Sequence, residues 1–421
     1  MKIKKVTGRE IFDSRGVPTL ECELTLEDDS EQLYSITSSV PSGASIGKYE
    51  ALELRDRKKR LHGKGVTKAI ENLETVIAPT LIGKKPDVVA LDTKMIKLDG
   101  TENKSKLGAN TILAASLAVL RAQAVANRME PFELITELCG IEEIAIPIPM
   151  FNVINGGMHA PNKLDFQEFM IIPTGQSNFR SAMEASLEVF YTLKSLLIKK
   201  GFHPYVGDEG GFAPEIKNET QALDLIMEAI EKTKNAEGNF VIGVDVAASH
   251  LYDSKTKKYT IGEKKYSYQE LIPLYEKLIE KYPIMYIEDG FDQDDWKGWK
   301  AFASQFGQKI QIIGDDLFAT NIQRIFKGLE EQAANGALIK PNQIGTVTET
   351  LQAIMACKEH DLSSVISHRS GETNDDIIVD IAIGSVAGQI KAGGLMRGER
   401  LAKYNRMLRI EDLLTMQVMN G

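Results

Sequence analysis

The sequence predicts an α/β protein of two domains, a smaller N-terminal α+β unit followed by a larger unit in which strands and helices alternate. Three observations carry this. A chain of 421 residues exceeds the usual size of one domain and leaves room for a closed barrel in one of two. Short apolar runs, each closed by a polar residue, recur through the second half. Between the halves the chain passes from Gly140 through Pro147-Ile148-Pro149, a helix-breaking composition that places the boundary near residue 140 and the domains at 1–139 and 140–421.

In the first unit, Thr19 to Leu26 alternates Leu20, Cys22, Leu24 and Leu26 with Glu21, Glu23 and Thr25, the period of a half-buried strand. A hairpin partner is expected at Gln32 to Ser39. From Gly65 to about Arg128 the period becomes helical, and Leu107-Gly108-Ala109-Asn110 opens a helix rich in small residues. Beyond the boundary, Phe179 to Lys200 sets Met183, Leu187, Phe190, Leu193 and Leu197 on one helical face and stops before Gly201, a C-terminal cap. Gln221 to Lys234 forms a second helix. Then come Val241 to Asp245, Ile284 to Glu288, Ile310 to Asp315, Ala337 to Lys340, Val365 to His368 and Gln389 to Lys391. Their end residues lie 43, 27, 25, 28 and 23 positions apart, room for a strand, a helix and loops. Ionisable residues at strand C-termini are where a (β/α) barrel keeps its active site. A doubly wound open sheet gives similar steps, so spacing alone leaves both architectures standing.

Bulk composition narrows the chemistry. Apolar residues make up 43% and charged residues 26%, as in ordinary globular proteins. A net charge of -9, with both signs mixed along the chain, offers no basic stripe for a nucleic-acid backbone. Cys22, Cys139 and Cys357 are too few and too dispersed for a disulfide framework, so a reducing, cytoplasmic setting is expected. The charged start, Met1-Lys2-Ile3-Lys4-Lys5, predicts no signal peptide, and without a run of 18 apolar residues no membrane span is expected.

Asp245, Glu288 and Asp315 each follow an apolar strand and would meet at one mouth, repelling one another unless a cation lies between them. An oxygen-only set of that kind suits Mg²⁺. Singly, each would more often be a helix cap or a loop acid; three in register favour the metal. Asp316 is adjacent, and strand period leaves open which of the two faces inward. Lys340 closes the apolar run Ala337-Leu338-Ile339, where the competing reading is a lysine snorkelling to solvent; buried beside a cation, its ammonium form is disfavoured, which would free it as a base. Lys391 holds the equivalent place two strands on and could stay charged to hold a carboxylate. In Ser367-His368-Arg369-Ser370-Gly371, the Arg369 fork and the Ser370 hydroxyl are donors of the kind that bind phosphate.

Other segments carry weaker signals. His159 lies in the Gly-rich turn Asn155-Gly156-Gly157-Met158, where histidines are more often structural. Gly207-Asp208-Glu209-Gly210-Gly211 sets two acids between glycines in a loop joining two helices, either a solvated turn or a carboxylate brought close to a ligand. Gln167 and Glu168 are expected to end an apolar strand that begins near Leu164 and to point to opposite faces. Pro41-Ser42-Gly43-Ala44-Ser45-Ile46-Gly47 reads as a closing loop, with serines and amides to offer a metal or a phosphate; it does not satisfy the P-loop pattern.

Taken in order, Asp13-Ser14-Arg15-Gly16, Pro41 to Ser45, Asp99 to Ser105, Gly207 to Gly211, Gly314-Asp315-Asp316-Leu317, Asn342-Gln343-Ile344-Gly345 and Ser367 to Thr373 resemble the motifs of the enolase family along nearly the whole chain. The resemblance implies an α+β cap domain and a TIM-like barrel of order ββαα(βα)6 whose second strand is antiparallel. It implies Mg²⁺-dependent interconversion of 2-phosphoglycerate and phosphoenolpyruvate by a homodimer or octamer, with two ions per site, the second arriving with substrate. In that reading Asp245, Glu288 and Asp315 hold the first ion, and Ser45 helps hold the second. Lys340 is the base and Glu209 assists departure of hydroxide. Gln167, Arg369, Ser370 and Lys391 bind substrate, while His159, Glu168 and His368 line the site. Val17, Ile46 and Met158 depart from residues common in the family, and none is an implied ligand. A racemase or cycloisomerase of the wider superfamily is disfavoured, because no Lys-x-Lys pair ends a strand between Pro147 and Leu251. An added scaffold or cell-surface role stays compatible with the sequence.

Overall fold

The computed structural model describes the backbone of residues 1–234, 236 and 239–420 and side chains through Met416. Strands β1 (Lys2–Phe12), β2 (Pro18–Glu27) and β3 (Leu33–Ser39) form an antiparallel sheet with β2 in the centre. Leu20, Cys22, Leu24 and Leu26 of β2 are buried while the alternating Glu21, Glu23 and Thr25 are half-exposed, so one face of the sheet carries the core. Helices then cover that face: α1 (Thr67–Asn72), a π-helical turn at Leu73–Ile77, α2 (Ala78–Leu81), α3 (Val88–Asp99) and α4 (Ala109–Asn127). Asp87 caps α3 by accepting from the Ala90 amide, and Gly100 ends it in the left-handed region. α4 is long and apolar enough to cross a membrane by length and composition, yet 78% of that stretch is buried inside the protein. It packs against β2 and β3, and its many alanines let those neighbours approach. α5 (Pro131–Cys139) ends at Gly140, again left-handed.

The second unit begins with β4 (Ile148–Asn155), β5 (Glu168–Pro173), α6 (Phe179–Lys199), α7 (Glu219–Lys232) and β6 (Phe240–Asp245). A small sheet, β7 (Tyr252–Asp253), β8 (Lys258–Ile261) and β9 (Lys264–Tyr266), precedes α8 (Tyr268–Lys281). Alternation continues with β10 (Ile284–Glu288), α9 (Trp296–Phe306), β11 (Gln311–Gly314), α10 (Ile322–Glu331) and β12 (Gly336–Ile339). It finishes with α11 (Pro341–Ile344), α12 (Val347–Glu359), β13 (Ser363–Ser367), α13 (Ile377–Gly384), β14 (Gln389–Lys391) and α14 (Gly398–Asn420). The strands close in the order β4-β5-β6-β10-β11-β12-β13-β14 and back to β4, which decides between barrel and open sheet.

β5 alone runs against both neighbours. This corrects the reading of Gln167 and Glu168. They do not end a strand from Leu164; Glu168 begins β5, and the reversal brings that beginning to the mouth where the other strands end. Met150, Met170, Ile172, Tyr286, Ile313, Leu338 and Val365 fill the barrel interior, each contributing about 1.5–3 kcal/mol by its burial. With its centre packed, the barrel offers chemistry only at its mouth.

Polar contacts fix the N-terminal unit on the barrel. The Asp92 carboxylate accepts from the amide and hydroxyl of Thr348, at 2.9 and 2.7 Å, in the first turn of α12. Burial pushes that carboxyl up to about 6 despite those bonds. Ser116 accepts from the Val347 amide, and Arg121 reaches Asp375 and Asp376. Nearer the mouth, Ser42 and Gly371 exchange backbone hydrogen bonds, tying the 41–47 loop to the segment after β13.

Candidate active site

Each parallel strand delivers a polar group at its C-terminal end. Asp245 and Glu288 are register partners on β6 and β10, Asp315 follows β11, Lys340 follows β12, Ser367 closes β13 with His368 next to it, and Lys391 closes β14. From the reversed β5 comes Glu168, and from the α6–α7 loop comes Glu209. Ser45, His159, Gln167, Glu168, Glu209, Asp245, Lys340, His368, Arg369, Ser370 and Lys391 line one small cavity.

Two lysines organise the acids. Lys391 Nζ lies 2.9 Å from both oxygens of Glu288, 3.2 Å from Glu168 and 3.5 Å from Asp245. Burial favours its neutral form, but Glu168, Glu288 and Asp245 together hold it well above the ordinary lysine value. Lys340 Nζ lies 2.5 Å from Asp315 Oδ2, and Gln343 donates to the other oxygen at 2.8 Å. Burial lowers Lys340 as the sequence argument expected; the Asp315 carboxylate outweighs it, and the lysine is raised.

Across the cavity the titratable groups are pushed apart. Burial and the neighbouring Glu209 charge raise the Glu168 carboxyl well above its usual range. Burial acts on Glu209 too, but the His159 and His368 imidazoles hold it well below that range. His159 Nδ1 is 3.3 Å from Glu209 and 3.7 Å from Glu168; His368 Nε2 is 3.7 Å from Glu209, and Asn152 donates to Glu209 at 3.1 Å. His368 is held well below its usual value, by burial first and by Arg400 among its neighbours. The Arg400 guanidinium sits 2.5 Å from His368 Nδ1. As a pure donor it makes Nδ1 the acceptor, so the ring proton is on Nε2, facing Glu209. Their surroundings therefore push the Glu168 and Glu209 carboxyls in opposite directions.

Arg369 is buried and bonds Glu50 through both terminal nitrogens, at 2.9 and 3.2 Å; it also donates to the Ser45 carbonyl at 2.9 Å. The Ser370 hydroxyl accepts from the Ala44 amide at 2.7 Å. Gly43 allows this approach, since a Cβ there would strike the Arg369 guanidinium. Gly210, at φ +93, does the same for the Glu209 loop, where a Cβ would lie 2.8 Å from the Met396 carbonyl.

Sequence reasoning missed several supports. Asp289 is buried, left-handed at φ +43, and accepts from the Asp315 and Asp316 amides at 2.8 and 2.9 Å. It fixes the turn that aims Asp315 at Lys340, settling the pair left open by strand period. Its place beside Glu288 was the one available signal. Glu50 and Arg400 gave none, since each lies far along the chain from its partner. Asp289, Asp315 and Asp316 also form one of two close sets of possible metal ligands among the described residues, with His159, Glu168 and Glu209 as the other. Asp245 and Glu288 are instead bridged through Lys391.

Residues 3–135 match the family model described as the enolase N-terminal domain, and residues 143–420 match the enolase C-terminal TIM barrel domain.

Proposed function

The chain belongs to the enolase family, and from that premise we propose that it catalyses the reversible dehydration of 2-phospho-D-glycerate to phosphoenolpyruvate. The observation that carries this reading is the pairing of opposites across one cavity: Lys340 and Lys391 on strand ends, and the oppositely shifted Glu168 and Glu209 carboxyls lining it with them. The C2 proton of the substrate is adjacent to an ionised carboxylate, so its removal creates a dianionic aci-carboxylate that only concentrated positive charge makes accessible.

In this reading Lys340 takes the C2 proton. Lys391, held charged by its neighbours, binds the substrate carboxylate, with Gln167 beside it. Arg369 and Ser370 receive the phosphate, since a bidentate guanidinium and a hydroxyl suit its oxygens. Hydroxide is a poor leaving group, and a proton on the Glu168 carboxyl, which burial raises, would reach the C3 hydroxyl through Glu209. His159 and His368 hold Glu209 in place for that transfer.

The acids fit a hard divalent cation, because their donors are all carboxylate oxygens and ammonium groups already lie among them. Mg²⁺ held by Asp245, Glu288 and Asp315, with a second ion near Ser45, would supply stabilising charge and compete with Lys340 for Asp315, leaving burial to favour the neutral amine. We place the protein in the cytoplasm, with its domain boundary near residue 140. Incubation with 2-phosphoglycerate, followed by phosphoenolpyruvate absorbance, tests the assignment. Absorbance should rise with Mg²⁺ and stay flat with EDTA; no rise in either condition would overturn it.

A further inference from the structure

A cavity of about 740 Å³ lies behind the 41–47 loop, lined by N-terminal residues and separate from the barrel mouth. One wall is the loop itself, through Ser42, Gly43 and Ile46. The others present Arg15, Arg55, Arg57 and Lys64, a cationic lining in a chain of net charge -9.

The acids of the lining are already paired. Glu50 is bonded to Arg369 at 2.9 Å, and Glu53 to Arg55 at 2.5 Å. Lys48 at the rim is paired with Asp294. Arg57 and Lys64 make no side-chain hydrogen bond or ion pair among the described residues, and both are exposed. Arg15 reaches Asp13 and Ser42 through Nη2. The backbone that presents Arg57 is itself strained. Arg57, Leu61 and His62 have φ of 53, 49 and 54, and the Arg57 amide bonds the Gly63 carbonyl to close the turn.

Two unpaired cations, Arg57 and Lys64, set in a bowl with Arg15 and Arg55, complement a compact molecule bearing several phosphates. We propose that this cavity binds a small multiply phosphorylated anion, and that the bound anion holds the loop where Ser45 meets Arg369. The coupling follows from shared walls: a ligand that contacts Ser42 and Gly43 in this position selects it over others. Occupancy does not depend on the reaction assigned to the barrel mouth.

The test uses the full chain with inorganic tripolyphosphate as probe, in EDTA and low salt, by titration calorimetry and by hydrogen exchange of residues 42–47. Saturable one-to-one binding is expected, with slowed exchange in that segment. Arg57→Gln combined with Lys64→Gln should weaken binding by about ten-fold or more, and Lys58→Gln combined with Lys59→Gln, which changes neighbours outside the cavity, by less than about two-fold. No saturable binding, or equal weakening by both pairs, overturns the site. Binding without slowed exchange overturns the link to the loop.

Discussion

Replacing Lys391 with Met removes the ammonium that lies within 3.5 Å of the buried carboxyl groups of Glu168, Asp245 and Glu288. The chain length is nearly kept, so the loss is of charge and not of packing. Breaking a buried pair by removing one partner costs about 3–5 kcal/mol. The same figure follows from protonation. A carboxylate of ordinary pKa, about 4, takes up the compensating proton at pH 7 for about 4 kcal/mol, at about 1.4 kcal/mol per unit. At pH 5 that falls to about 1–2 kcal/mol. Lys391 itself stays charged throughout, because its neighbours hold it above its ordinary value. Urea unfolding of both proteins in EDTA should therefore show a deficit of about 4 kcal/mol at pH 7 that shrinks by more than half at pH 5. A deficit below about 1 kcal/mol at pH 7, or the same deficit at both, would refute the claim that this lysine compensates the acids.

Lys340→Ala should abolish exchange of the C2 proton of 2-phosphoglycerate with deuterated solvent, followed by NMR; surviving exchange would assign the base elsewhere. Glu209→Gln should slow phosphoenolpyruvate formation by about 100-fold or more while leaving that exchange far less affected, and equal losses would remove its separate role. Asp92 is an acid raised from 3.8 to about 6 by burial, so its contribution is greatest below pH 3.8 and disappears as pH rises through 6. Relative to Asp92→Asn, the parent protein should gain about 2–2.5 kcal/mol between pH 7 and pH 4, read from denaturant midpoints; a pH-independent difference would count against it.

Most of the barrel was legible because its parallel strands are short apolar runs that each close on a polar residue, and the closing residues Asp245, Glu288, Asp315, Lys340, His368 and Lys391 do gather at one end. The direction of β5 could not be read from period, since an alternating or continuous apolar run looks the same in either direction; hence the misplaced Gln167 and Glu168. β1 went unnoticed for a local reason. Its pairing with β2 shifts between Ile3 and Lys5, and the irregularity breaks the alternation that marks β2. Arg400 lies on α14 yet is fully buried, reaching His368 together with the Arg369 and Ser370 carbonyls. Nothing in a helical charge pattern distinguishes such an arginine from a solvated one.

The lone reversed strand also decides how the two sides of the cavity are mounted. After β5 the chain leaves from the far end, so α6 climbs and α7 descends, and their turn hangs over the rim with Glu209 on it. The lysines are fastened to the staves; Glu209 hangs from an outer bracket, steadied by Arg397 and Arg400 holding the Gly207 and Asp208 carbonyls. A tilt of that helical pair would therefore alter the gap between Glu209 and the two lysines while every stave kept its place.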